Sequence, residues 1–252
     1  MNQEELSLLI DLHLGGERQG PGSTAHTLRA LNAVALDRNK TWQVADIGCG
    51  TGSQTMVLAN YQPSHITAVD FLPEFLQELE VRAGKLSLKS SIETLAASMD
   101  HLPFAAESLD LIWSEGAIYN MGFQNGLRAW RNFLKVGGFI GLSEIVWLRN
   151  DPPEALQQYW NHEYPEMGTV ADKLRILEEE GFSPQLYFPL AENAWMEHYY
   201  WPIQERLPAF LERHQGVELA REIVQREREE IHLYQTNKAF YSYGFFVAQR
   251  VR

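Results

Sequence analysis

Between Val44 and Gly52 the chain reads VADIGCGTG: an apolar run carrying Asp46, then Gly48, Gly50 and Gly52, at a point where an extended segment gives way to a helix-like one. Glycine at such a turn lets backbone pass close to a ligand with no side chain between them. A dinucleotide-binding turn spaces its glycines as G-x-G-x-x-G. Here the third glycine comes one residue early and the remaining slot holds Ser53, so the spacing argues against a nicotinamide dinucleotide. Eighteen residues after Gly52, at the end of the next apolar run, stands Asp70. A carboxylate there can accept both hydrogen bonds of a ribose diol. The residues therefore describe a site for a ribose-bearing ligand without a phosphate cradle.

The elements that must position these residues follow from periodicity. Leu6, Leu9, Ile10 and Leu14 recur at helical spacing up to Gly15-Gly16, and Ser23 is placed to cap a second helix carrying Leu28, Leu31 and Val34. Strand-like Trp42–Ile47 and helix-like Ser53–Asn60 follow, then strand-like Ile66–Phe71 and a helix opened by Pro73. The alternation continues through Ile92–Ala97, Leu109–Trp113, a helix with Leu127, Trp130 and Leu134, and Phe139–Val146. Strands alternating with helices imply parallel strands with right-handed crossovers, an open sheet covered on both faces, and ligands at the carboxyl ends of the strands. After Pro152-Pro153 come a helix over Val170–Glu180, a strand over Leu186–Leu190, and a final strand, Tyr241–Val251. Eleven of the 55 residues from Trp147 to Trp201 are aromatic, against 12% for the chain, which fits either helix packing or the lining of a substrate pocket. The expected organisation is one domain over 1–252: a helical N-terminal cap (1–40), a ligand-binding core (41–146), a helical and aromatic insertion with a late strand (147–240), and a last strand (241–252).

Composition narrows the partners. The 252 residues hold 21 Lys+Arg and 33 Asp+Glu, a net charge of −12, with no local basic cluster, so nucleic acid is a poor partner. One cysteine, Cys49, forms no intramolecular disulfide, and the histidines are too dispersed for a metal site. No apolar run reaches the 18 residues of a membrane span and no basic leader is seen, so a cytoplasmic protein is expected.

With VADIGCGTG, the VDF of Val69–Phe71, and LPF followed by LDLIWSEG, the chain resembles the class I S-adenosylmethionine-dependent methyltransferases over about Trp42–Val146 plus the last strand. RQGPGS (Arg18–Ser23) and SEGAIYNMGF (Ser114–Phe123) resemble a bacterial subgroup near the ubiquinone and menaquinone C-methyltransferases. The resemblance implies an α/β, Rossmann-like three-layer sandwich with a mostly parallel seven-stranded sheet and an antiparallel last strand. It implies S-adenosylmethionine as cofactor, with S-adenosylhomocysteine as product. Gly48, Cys49, Gly50 and Gly52 would face its methionine and ribose, Asp46 its amino group, Asp70 the ribose hydroxyls and Phe71 the adenine face. Ser98 and Met99 would meet the adenine edge, although the family usually has an acid where Ser98 stands. Ser114 and Glu115 would flank the methionine end, and Arg18, Gln19 and Gly20 read either as a linker or as a flap over the cofactor carboxylate.

In-line methyl transfer depends mostly on alignment in a dry site, and a base is needed only if the acceptor must lose a proton. The candidates are Glu115, which could equally bind the cofactor's ammonium, Tyr119, and His198 from the insertion; His162 and Glu144 are weaker. Glu178–Glu180 and Arg226–Glu230 read as solvated helix faces. The expected partner is a small apolar or aromatic molecule, and a homodimer is compatible with the sequence. A non-catalytic cofactor-binding protein and an NAD-linked oxidoreductase are the competing readings.

Overall fold

The computed structural model describes residues 2–252. Strands β1 (Trp42–Ile47), β2 (Ser64–Asp70), β3 (Ser91–Ala96), β4 (Leu109–Glu115) and β5 (Leu134–Trp147) pair in parallel, and β8 (Tyr241–Arg250) runs antiparallel between β5 and β7 (Phe182–Pro189). The order across the sheet is β3-β2-β1-β4-β5-β8-β7, the seven strands expected, with a two-residue β6 (Gly168–Thr169) added beside β5. Alternate side chains of each strand leave opposite faces. Val44, Leu111, Phe245 and Val247 accordingly pack with α2 (Thr24–Leu31) and α3 (Ser53–Tyr61), while Ala45, Ile112, Phe246 and Ala248 pack with α5 (Phe123–Arg131) and α7 (Val170–Glu179). With both faces covered, β1 and β4 are buried along nearly their whole length, as parallel strands between two helical layers are.

Local signals hold where a physical reason stood behind them. Ser23 caps α2 by accepting from the His26 amide, and Pro73 opens α4 (Pro73–Gly84). Leu134, expected on the helix with Leu127 and Trp130, instead opens β5 and pairs with Leu109, because α5 ends at Arg131. The stretch 147–240, expected as one insertion, divides in two. Helix α7 and strand β7 belong to the sandwich, because Leu177 packs against the sheet and β7 pairs along β8. The added material is α6 (Glu154–Glu163), before α7, and a helical block between β7 and β8. That block consists of α8 (Glu192–Trp195), a π-turn at Met196–Tyr200, α9 (Trp201–Arg213) and α10 (Glu218–Asn237). Helix α1 (Gln3–Leu14) joins it: Leu8 and Leu12 pack with Ile203, Leu207 and Ile223, and Asp11 pairs with Arg213 and His214. The cap over the strand ends is thus built from both ends of the chain. No helix among the described residues is long and apolar enough to cross a membrane.

Glu180 departs from the solvated face expected of it. It is buried between α5 and α7, where Arg128 and Gln124 bind its carboxylate at 2.7 and 2.8 Å.

Candidate active site

The switch point of the sheet lies between β1 and β4, where the crossovers part to either side, and a cleft of about 740 Å³ opens there at the carboxyl ends of the strands. Its floor is the glycine loop after β1. Gly50 stands at φ +54°, and a Cβ on it would lie 2.3 Å from Gln19 Oε1. Gln19 belongs to the segment joining α1 to α2, and its Oε1 accepts the Thr51 amide at 2.9 Å. Arg82 fastens the same segment by donating to the carbonyls of Gly16 and Glu17 and to the Thr51 hydroxyl. The Arg18–Ser23 stretch is therefore a strap bound down over the loop.

Arg18 is buried in this strap. Its Nη1 donates to Glu115 Oε2 at 2.9 Å, while its Nη2 is buried with no partner. Glu115, at the end of β4, also accepts from Thr27 Oγ1 at 2.7 Å and from Trp113 Nε1 at 2.9 Å. Trp113 and Glu115 share a side of their strand, two residues apart. A carboxylate engaged by three donors is an anchor for Arg18, so the structure opposes the base role considered for it. Arg18 lines the cleft, and its buried, unpartnered Nη2 is suited to a ligand carboxylate.

Asp70 ends β2 on the other side of the loop. Its Oδ2 accepts the Gly50 amide and its Oδ1 the Leu72 amide, both at 2.9 Å, which leaves a lone pair on each oxygen for a diol. Burial pushes its carboxyl up while the amides of Leu72 and Gly50 oppose that shift. Beside it Phe71 is 68% exposed at the cleft wall, an aromatic face with no protein partner to cover it. Ser98 and Met99 line the same wall, and the Ser98 hydroxyl donates to Asp100. Asp100, a residue that the motif spacing alone did not single out, lines this wall beside Ser98.

The loop amides are already spoken for. Those of Gly48 and Cys49 donate to the Val69 carbonyl, that of Gly50 to Asp70, that of Thr51 to Gln19 and that of Gly52 to the Cys49 carbonyl. A pyrophosphate would need such donors free, so the bonding agrees with the glycine spacing in arguing against a dinucleotide.

Three expected cofactor contacts lie behind the cleft wall. Asp46 is fully buried under the loop, bonded by Thr55 at 2.6 Å and Gln54 at 3.3 Å, and burial raises its carboxyl pKa to about 7. Gly52 is turned toward α4, where a Cβ would meet Leu79 at 2.5 Å, so it serves packing. Ser114 is buried on the face of β4 opposite Glu115. His198 is exposed and lines neither the cleft nor the space beyond it. The π-turn explains why: with a wider turn, Trp195, Tyr199 and Tyr200 all face inward, and His198 is left outside. His162 is likewise exposed on α6. Glu144 is buried, paired with Lys173 at 3.1 Å and accepting from the Tyr164 hydroxyl at 2.5 Å.

Beyond Gly20, Gly116 and Tyr119 the cleft meets a second chamber of about 300 Å³, walled by the aromatic residues of α6, the π-turn and β8. Tyr119 stands at the junction, its ring edge-on to Tyr164. The aromatic richness of 147–201 thus serves both packing and lining: Trp195 stacks on Tyr234 at 4.3 Å and also faces the chamber.

Residues 44–138 match the family described as methyltransferase domain. The chain is 32% identical over 101 residues to malonyl-[acyl-carrier protein] O-methyltransferase of Dechloromonas aromatica, covering 40% of this chain and 35% of that protein. It is 30% identical over 136 residues to the ubiquinone/menaquinone biosynthesis C-methyltransferase of Bartonella tribocorum, half of each chain. The matched regions span between a third and a half of these two relatives. Among solved structures, an S-adenosylmethionine-dependent methyltransferase of Geobacter sulfurreducens, in complex with S-adenosylhomocysteine, superposes with a TM-score of 0.81. It covers 99% of this chain and 98% of that one at 16% identity, a likeness of fold.

Proposed function

We propose that this chain, whose core has the sequence and fold of a class I S-adenosylmethionine-dependent methyltransferase, transfers a methyl group to a small molecule held in the aromatic chamber. The observation that carries this reading is the buried, unpartnered Nη2 of Arg18, in a cleft whose opposite wall holds Asp70 with a lone pair free on each oxygen. Arg18 would bind the amino-acid carboxylate of the cofactor, Asp70 the ribose diol and Phe71 the adenine face, with Met99 and the Ser98–Asp100 pair at the adenine edge. Gly48, Cys49 and Gly50 would lie along the methionine and ribose. Asp46, Gly52 and Ser114 shape this wall from behind.

S-adenosylmethionine bound there supplies a methyl group on a positively charged sulfur. The residues of the chain then align and shield. The strap holds Arg18 and Gln19 over the loop, and the chamber walls exclude water from the acceptor. Tyr119, at the junction of cleft and chamber, is the side chain best placed to touch an acceptor beside the methyl. A chamber of about 300 Å³ with mostly aromatic walls suits a small acceptor of apolar or aromatic character. The net charge of −12 favours such a partner over nucleic acid, and the single buried thiol of Cys49 fits a cytoplasmic setting.

Transfer of label from methyl-labelled S-adenosylmethionine into a bacterial extract tests the reading. Label in the small-molecule fraction, absent with Asp70→Ala, is the expected result. Label in protein would overturn the acceptor class. No transfer above the Asp70→Ala control, with cofactor still bound by the native chain, would favour a non-catalytic cofactor-binding protein.

A further inference from the structure

The chamber beyond Tyr119 is more specific than an apolar pocket. Its lining includes seven tyrosines, two tryptophans and two carboxylates, Glu163 and Glu230, and no lysine or arginine. Glu230, on α10, accepts from the Tyr200 hydroxyl at 2.9 Å. It forms no ion pair among the described residues, whereas its helix neighbours Glu227 and Arg226 pair with His13 and Glu5 of α1. Glu230 is itself accessible, and it borders the chamber with no cationic side chain beside it. Ring faces carry negative potential and attract a cation lying over them. Walls of this kind with one unpaired carboxylate suit a group that is both hydrocarbon and positively charged.

Resting on the methyltransferase reading above, we propose that the acceptor is a small alkylamine, bound as its cation in the aromatic chamber with Glu230 as counter-ion, and that the methyl group goes to its nitrogen. The protonated amine first passes one N–H proton to the Glu230 carboxylate, which later releases it to solvent. The nitrogen lone pair then forms the N–C bond to the methyl carbon as the C–S bond breaks and its electron pair stays on sulfur. The amine leaves as a methylated ammonium ion and the sulfonium as a neutral thioether, so one proton is released per transfer. A neutral phenol or quinone would fill the same volume and leave Glu230 without a counter-charge.

The test uses the full chain saturated with S-adenosylhomocysteine and two probes of nearly equal shape, choline and its uncharged isostere 3,3-dimethylbutan-1-ol, titrated calorimetrically. Choline is expected to bind at least tenfold more tightly than the alcohol. Glu230→Gln is expected to reduce that preference below threefold while leaving the affinity for S-adenosylhomocysteine unchanged, which also reports that the variant is folded. Equal binding of the two probes, or no binding of choline, with S-adenosylhomocysteine still bound, overturns the cationic acceptor and leaves the methyltransferase reading standing. A preference for choline that survives Glu230→Gln removes Glu230 from the proposal. Failure of the native chain to bind S-adenosylhomocysteine overturns the methyltransferase reading itself.

Discussion

At the scale of single residues, the site turns on a buried ion pair that positions rather than reacts. Glu115 and Arg18 lie 97 positions apart, and Thr27, the other distant donor to Glu115, lies 88 away. No spacing rule connects such residues, which is why Glu115 read equally well as a base. Removing one partner of a buried pair strands the other, at about 3–5 kcal/mol. Glu115→Ala should lower the stability of the chain by about that much in urea unfolding; a loss under about 1 kcal/mol would mean that the pair is not buried as described. The glycine loop and Asp70 were legible because their roles are set by local backbone geometry. Gly50→Val should abolish cofactor binding with near-native circular dichroism, because its side chain would displace Gln19 from the strap. Retained affinity would show that the strap does not close the site. Asp46 and Gly52 are parts of the same motif but point away from the cleft, and only the packing of Thr55 and Leu79 reveals their direction.

At the scale of elements, periodicity and turn signals located every strand of the sheet except the two-residue β6, because alternation against two helical layers leaves a strong pattern. They did not separate the sandwich's own α7 and β7 from the added helices, since both are amphipathic and only sheet pairing distinguishes them. The π-turn was equally hidden: one extra residue in a helical turn rotates everything after it, bringing Tyr199 and Tyr200 to the chamber and taking His198 out. Helix α7 carries a full capping box, in which Thr169 accepts the Asp172 amide and Asp172 the Thr169 amide. Thr169→Ala should reduce stability by about 1 kcal/mol, read from the urea midpoint, and leave cofactor affinity unchanged because Thr169 does not line the cleft. A change in affinity would tie α7 to the site in a way that its position does not suggest.

At the scale of the whole molecule, the sheet, the strap and the composite cap place one cleft at the switch point and one aromatic chamber beside it. The stability of that assembly should fall as pH rises from about 4 to about 7. Asp46 releases its proton near 3.8 in the unfolded chain and near 7 in the folded one, so across that window the folded state holds a proton that the unfolded state has shed. The difference corresponds to about 4 kcal/mol at most and levels off above pH 7. Asp46→Asn should flatten urea midpoints measured between pH 4.5 and 8; an unchanged slope would mean that Asp46 is ionised in the fold. The central claim, that the cleft binds S-adenosylmethionine through its ribose and carboxylate, is tested most directly by calorimetric titration of that cofactor into the native chain and into Asp70→Ala. The account predicts one site, weakened by about 1.5–3 kcal/mol in the variant, the range for a hydrogen bond to a charged group. Equal affinities, or binding of NAD in place of S-adenosylmethionine, would contradict it.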